Sequence, residues 1–97
     1  MTKAEIVKEI VNKTGIEKVA VQATVEAIVE TIKTSMITGE NVYLRGFGSF
    51  IIKTRKEKTG RNIIKNTSIT IPAHVVPVFK PAKEFVTEIK TKVKVSG

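Results

Sequence analysis

The sequence predicts an α+β fold. Two N-terminal helices lead into a short antiparallel sheet extended into a β-ribbon arm, a C-terminal helix follows, and two copies intertwine as a homodimer. Three observations predict it. Apolar residues recur at helical spacing through the first 38 residues and stop at glycines. From residue 41 the pattern turns to short strand signals punctuated by Gly46, Gly48, Pro72 and Pro77. The last strand then runs into Pro81 and one further apolar helical stripe. At 97 residues the chain amounts to one domain, residues 1–97, near the lower end of the usual size range.

Thr2-Lys3-Ala4-Glu5 has capping-box spacing, with Thr2 as N-cap and Glu5 reaching back. Ile6, Val7, Ile10 and Val11 form the helical stripe behind it, and Gly15 closes the helix. A second helix is predicted over roughly 18–38, with Val21, Val25, Ile28, Val29, Ile32 and Met36 as one buried stripe ending at Gly39. Residues 1–39 thus form a helical hairpin. Residues 41–44 are a short strand, Arg45-Gly46-Phe47-Gly48 a turn with two glycines available for positive φ, and Ser49 to about Arg55 a second strand. Ile69 and Ile71 alternate with Ser68 and Thr70 on a returning strand, where Pro72 and Pro77 demand an edge or a break. The sheet occupies 41–80, with an arm over about 53–72. Pro81 suits the first turn of a last helix, 81–90, carrying Phe85 and Ile89, and 91–97 is a basic tail.

Charge is distributed unevenly. Lys and Arg number 17 against 9 acids, a net +8. Residues 1–47 balance at six bases and six acids, so residues 48–97, with eleven bases and three acids, hold the whole excess. Its densest part is 53–65, where Lys53, Arg55, Lys56, Lys58, Arg61 and Lys65 face only Glu57. Such self-repulsion calls for a polyanionic partner. The segment 53–70 has almost no apolar residue near its middle, so it adds little to a core and is expected to be mobile when unbound. All four phenylalanines, Phe47, Phe50, Phe79 and Phe85, lie beside the β-segments, and a thin three-stranded sheet leaves them exposed unless two copies pair. Phe47, Phe50 and Phe79 are the expected dimer core.

Other classes are excluded or disfavoured. With no cysteine, disulfides and Cys-based metal sites or nucleophiles are absent. No apolar run approaches the ~18–20 residues of a membrane span, and the first residues do not resemble a secretion signal. The single histidine, His74, has no acid beside it in sequence, and Gly46-Phe47-Gly48 lacks the third glycine of a nucleotide loop, so no enzyme, cofactor or small-molecule substrate is expected. A helix-turn-helix regulator read on 1–38 is the main alternative within DNA binding, disfavoured on charge because Lys33 is the only base in 19–38, against Glu26 and Glu30. Single-strand binders stack bases on exposed aromatics, and 53–66 has none.

Three motifs in order carry a family resemblance: Gly46-Phe47-Gly48-Ser49-Phe50, Gly60-Arg61-Asn62, and Val76-Pro77-Val78-Phe79-Lys80-Pro81. They resemble the signature of the HU/IHF family of bacterial nucleoid proteins, element by element over about residues 1–90. The resemblance implies an obligate dimer with a helical base and two flexible β-ribbon arms that wrap and bend double-stranded DNA. It implies a cytoplasmic, nucleoid-associated protein, and leaves a heterodimer with a paralogue open beside the homodimer. The arm tip often carries a proline after Arg-Asn in that family, where this chain has Ile63, and a later turn glycine, where it has Asn66. Ile63 is an apolar side chain of a size suited to a wedge between bases, and Asn tolerates the left-handed region.

Lys53, Arg55, Arg61, Ile63 and Lys65 share strand parity and so tend to one face. Arginine suits the narrow, negative minor groove, and Asn62 can reach acceptors that distinguish A·T from G·C poorly, so weak sequence preference is expected. Lys56 and Lys58 add phosphate contacts. Lys80 and Lys83 flank the start of the last helix, where a phosphate would meet free N–H groups.

Overall fold

The computed structural model describes residues 1–62 and 67–95, with side chains for 1–60 and 68–95. The chain divides into two units, Met1–Ser35 and Met36–Gly97.

The first unit holds α1 (Lys3–Thr14) and most of α2 (Lys18–Ile37). The capping box forms as the sequence predicts: the Glu5 N–H donates to Thr2 Oγ1 at 3.2 Å and the Thr2 N–H donates to Glu5 Oε1 at 3.3 Å. Gly15 takes the left-handed conformation at φ 73° and its N–H donates to the Val11 carbonyl, which stops the helix. Val7 on α1 and Val21 on α2 are buried. The rest of the α2 stripe departs from the prediction of one buried face. Val25, Ile32 and Met36 are half-buried, while Ile28 is 53% and Val29 49% exposed. The periodicity is real, but within the first unit it buries only Val21 fully.

The second unit contains β1 (Val42–Leu44), β2 (Gly48–Arg55), β3 (Lys58–Asn62), β4 (Thr67–Ile71), β5 (His74–Pro81) and α3 (Lys83–Lys92). Strands β1, β2 and β5 make a three-stranded antiparallel sheet with β2 in the centre, while β3 and β4 pair only with each other. The partners along β2 and β5 run from Gly48↔Pro81 to Arg55↔His74, and those along β3 and β4 from Lys58↔Ile71 to Asn62↔Thr67. The residue numbers sum to 129 in every pair (48 + 81, 55 + 74, 58 + 71, 62 + 67). The two ladders are therefore in phase, with no bulge, and are separated by two unpaired rungs, 56 opposite 73 and 57 opposite 72. Pro72 accounts for one side of this break, because it has no N–H to donate. Pro77 sits within β5, whose far edge is free, as a strand proline requires.

Three details differ from the sequence-based expectation. Gly46 uses a positive φ, 83°, in the turn that returns the Phe47 N–H to the Leu44 carbonyl, but Gly48 does not. Gly48 is needed for space: a Cβ there would lie 2.6 Å from the Lys80 carbonyl oxygen and 2.7 Å from the Phe79 ring. Pro81 does not enter the helix, because it is held as the last residue of β5 opposite Gly48, and Ala82 is the N-cap. Helix α3 runs to Lys92, two residues beyond the predicted end. Lys90 and Lys92 in its last turn suit the helix dipole, and Lys92 reaches Glu88 at 3.4 Å.

Candidate nucleic-acid interface

The basic cluster is carried by the ribbon. Lys53 and Arg55 lie near the end of β2, opposite Val76 and His74, Lys56 lies in an unpaired rung, and Lys58 opens β3 opposite Ile71. All four side chains are exposed, and neither they nor Glu57 form an ion pair with another described residue. The backbones of Arg61 and Asn62 pair with Ser68 and Thr67. Their side chains, and the whole of Ile63 and Lys65, lie outside what is described, as does the turn at Asn66. The in-phase ladder supports a shared face for Lys53, Arg55 and residue 61 as far as the backbone reaches. The helices differ in this respect, since Lys3 pairs with Glu26 at 3.2 Å and Lys33 with Glu30 at 3.9 Å. Exposed pairs of this kind add little stability, but they leave those lysines without the surplus charge found on the ribbon.

At the base of the sheet, the Ala82 N–H donates to the Phe47 carbonyl at 2.8 Å, which ties the start of α3 to the β1–β2 turn. Ala82 makes no side-chain cap. Lys80, Arg45, Ser49 and Ala82 line one hollow of 320 Å³ beside this helix start, and Lys83 is exposed as the first residue of α3. Sequence patterning points to Lys80 and Lys83 here but misses Arg45. The signal was the turn itself, which folds Arg45 back toward the strand that carries Lys80.

The phenylalanines gather on the opposite side of the same sheet rows, because Phe50↔Phe79 alternates with Ser49↔Lys80. Ring centroids of Phe47 and Phe79 are 5.0 Å apart, Phe50 and Phe79 5.0 Å, and Phe47 and Phe85 5.3 Å, all tilted. Phe47 nevertheless remains 43% exposed and Phe79 37%. Among the described residues no helix is long and apolar enough to cross a membrane.

A sequence model of the family described as "Bacterial DNA-binding protein" matches residues 1–90. The chain belongs to the HU/IHF family. As an HU/IHF protein it is an architectural DNA-binding protein. It is 36% identical over 92 residues to the SPbeta prophage-derived DNA-binding protein HU 2 of Bacillus subtilis, covering 95% of this chain and 100% of that one. It is 37% identical over 95 residues to integration host factor subunit beta of Marinobacter nauticus, covering 97% of each. Among solved structures it is similar to the HU of an Anabaena HU–DNA cocrystal, with a TM-score of 0.81, 36% identity, and coverage of 97% of this chain and 100% of that one. The three HU/IHF-like motifs fall on the β1–β2 turn with the start of β2, the end of β3, and β5.

Proposed function

We propose that two copies of this chain pair through their exposed apolar faces, and that the two basic ribbons embrace the minor groove of double-stranded DNA and bend it with little sequence preference. The observation that carries the reading is the ribbon itself. Its described bases are exposed and unpaired on a two-stranded element that the rest of the sheet does not cover. A chain of 97 residues whose only buried hydrophobic side chains, among those described, are Val7 and Val21 lacks a core adequate to fold alone. A partner laid over the exposed Phe47 and Phe79 adds to that core, and the cocrystal of the Anabaena relative with DNA favours DNA as the ligand.

In this reading Lys53, Arg55, Lys56, Lys58 and Lys65 neutralise phosphates along the ribbon, Arg61 and Asn62 enter the groove, and Ile63 wedges between bases. Lys80 and Lys83 hold a phosphate at the start of α3. The role is structural rather than catalytic, and it places the protein on the nucleoid in the cytoplasm.

Charge reversal tests this. Lys58→Glu with Arg61→Glu abolishes binding of a linear duplex at moderate salt if the ribbon binds, and leaves it nearly intact if α2 does. Circular dichroism and oligomer mass guard against loss of folding.

A further inference from the structure

His74 is the sole histidine of the chain and opens β5 directly above the unpaired rungs that separate the ribbon from the sheet. It pairs across the ladder with Arg55, so the two side chains share one face of the sheet, and Lys53 lies on that face two residues along β2. The ring is exposed. Its Nδ1 lies 2.9 Å from the Pro72 carbonyl oxygen, across the break.

While that contact is kept, it selects one tautomer. A carbonyl oxygen only accepts, so Nδ1 must carry a hydrogen and donate it. In the neutral ring the remaining nitrogen, Nε2, then has no hydrogen and acts as an acceptor. Nε2 has no hydrogen-bond partner among the described residues. A phosphate oxygen repels a neutral Nε2 but accepts a hydrogen bond from a protonated one. The charged groups around the ring are Arg55 and Lys53 on β2, Lys56 and Glu57 in the two unpaired rungs, and Lys58 on β3, while β4 and β5 contribute the apolar Ile71 and Val76. All but Lys53 line the same hollow of 580 Å³ as His74. Four cations against one acid make this a place where a phosphate is attracted and an imidazolium gains from its arrival.

We propose that His74 is a proton-linked phosphate contact at the root of each ribbon: it meets the DNA backbone through Nε2 only as the imidazolium, so that binding duplex DNA takes up a proton there. The inference rests on the ribbon being the DNA-binding element. The proton comes from solvent, and the hydrogen bond to Pro72 is kept in both states. Affinity therefore rises on acidification wherever the proton is taken up, and a change of pH adjusts the grip of the ribbon without altering the fold.

The test measures affinity for a linear mixed-sequence duplex at fixed ionic strength between about pH 8 and about pH 5.5, with calorimetry in two buffers of different ionisation enthalpy to count protons. The wild type is expected to tighten by roughly threefold to tenfold per ribbon on acidification, as for one charge-assisted contact, and to take up as much as one proton per chain. His74→Gln, which does not titrate, is expected to lose the proton uptake and to stay flat across the range. His74→Lys is expected to be flat but tight across the range. If His74→Gln shows the same pH dependence and uptake as the wild type, while Lys58→Glu with Arg61→Glu still abolishes binding, the proton-linked contact is wrong and the ribbon reading survives. If the charge reversal leaves binding intact, both are wrong.

Discussion

Replacing Gly48 with alanine adds one carbon at the root of the ribbon, and the structure sets its cost. The new Cβ would lie 2.6 Å from the Lys80 carbonyl oxygen and 2.7 Å from Cε1 and Cζ of Phe79. Close carbon–oxygen approaches run at about 3.3 Å and carbon–carbon contacts at about 3.5 Å, so the overlaps are roughly 0.7 and 0.8 Å. The ring could turn aside, at the expense of its 5.0 Å contacts with Phe47 and Phe50. The carbonyl cannot, because it belongs to the strand paired with β2 through Gly48↔Pro81 and Ser49↔Lys80. Overpacking of this kind costs about 1–3 kcal/mol, and the backbone clash puts Gly48→Ala at about 2–3 kcal/mol. Gly46 supplies the control. A Cβ added there would meet nothing within 4 Å, but its φ is +83°, so Gly46→Ala costs only the left-handed strain of about 1–2 kcal/mol, and Gly46→Asn less. Urea unfolding at one fixed chain concentration compares them, since a dimer's midpoint depends on concentration. The reasoning is refuted if Gly48→Ala unfolds at the wild-type midpoint, or if Gly48→Asn is milder than Gly46→Asn.

Further outcomes follow from the same geometry. Phe79→Ala removes the ring that touches both Phe47 and Phe50. It should cost about 3–5 kcal/mol in the paired state and shift sedimentation toward monomer or unfolded chain, and a dimer of unchanged midpoint would count against the aromatic interface. Ile63→Ala should lower the DNA bend, read by fluorescence transfer between duplex ends, more than it lowers affinity for relaxed duplex. An unchanged bend would remove Ile63 as the wedge.

Local chemistry made much of this fold legible in the sequence. The Thr2–Glu5 capping box and the Gly15 stop involve residues a turn apart, so their spacing carried the whole signal. Features that depend on a distant strand were less legible. Gly48 looked like a second turn glycine until β5 placed Lys80 and Phe79 against it. Pro81 looked like a helix start until its pairing with Gly48 held it in the strand. The break in the ribbon was half visible: Pro72 announces one side, but Lys56 and Glu57 carry no breaker and stop pairing because of what lies opposite. The α2 stripe was readable as periodicity, yet Ile28 and Val29 on it stay about half exposed, which periodicity does not tell. At the site, charge counting found the ribbon bases without the structure. Arg45 and His74 emerged only through register and turn geometry, which place one beside Lys80 and the other opposite Arg55.

The central claim is that paired, positively charged ribbons grip the duplex through its phosphates and bend it. Affinity for linear, nicked and pre-kinked duplexes, titrated against salt with end-to-end distance recorded, tests it most directly. The account predicts a log–log slope of roughly −5 to −9, for ~6–10 phosphates neutralised, with shortened end-to-end distance on linear DNA and tighter binding to nicked and kinked forms. A slope near zero, or binding that leaves the duplex straight, would contradict it.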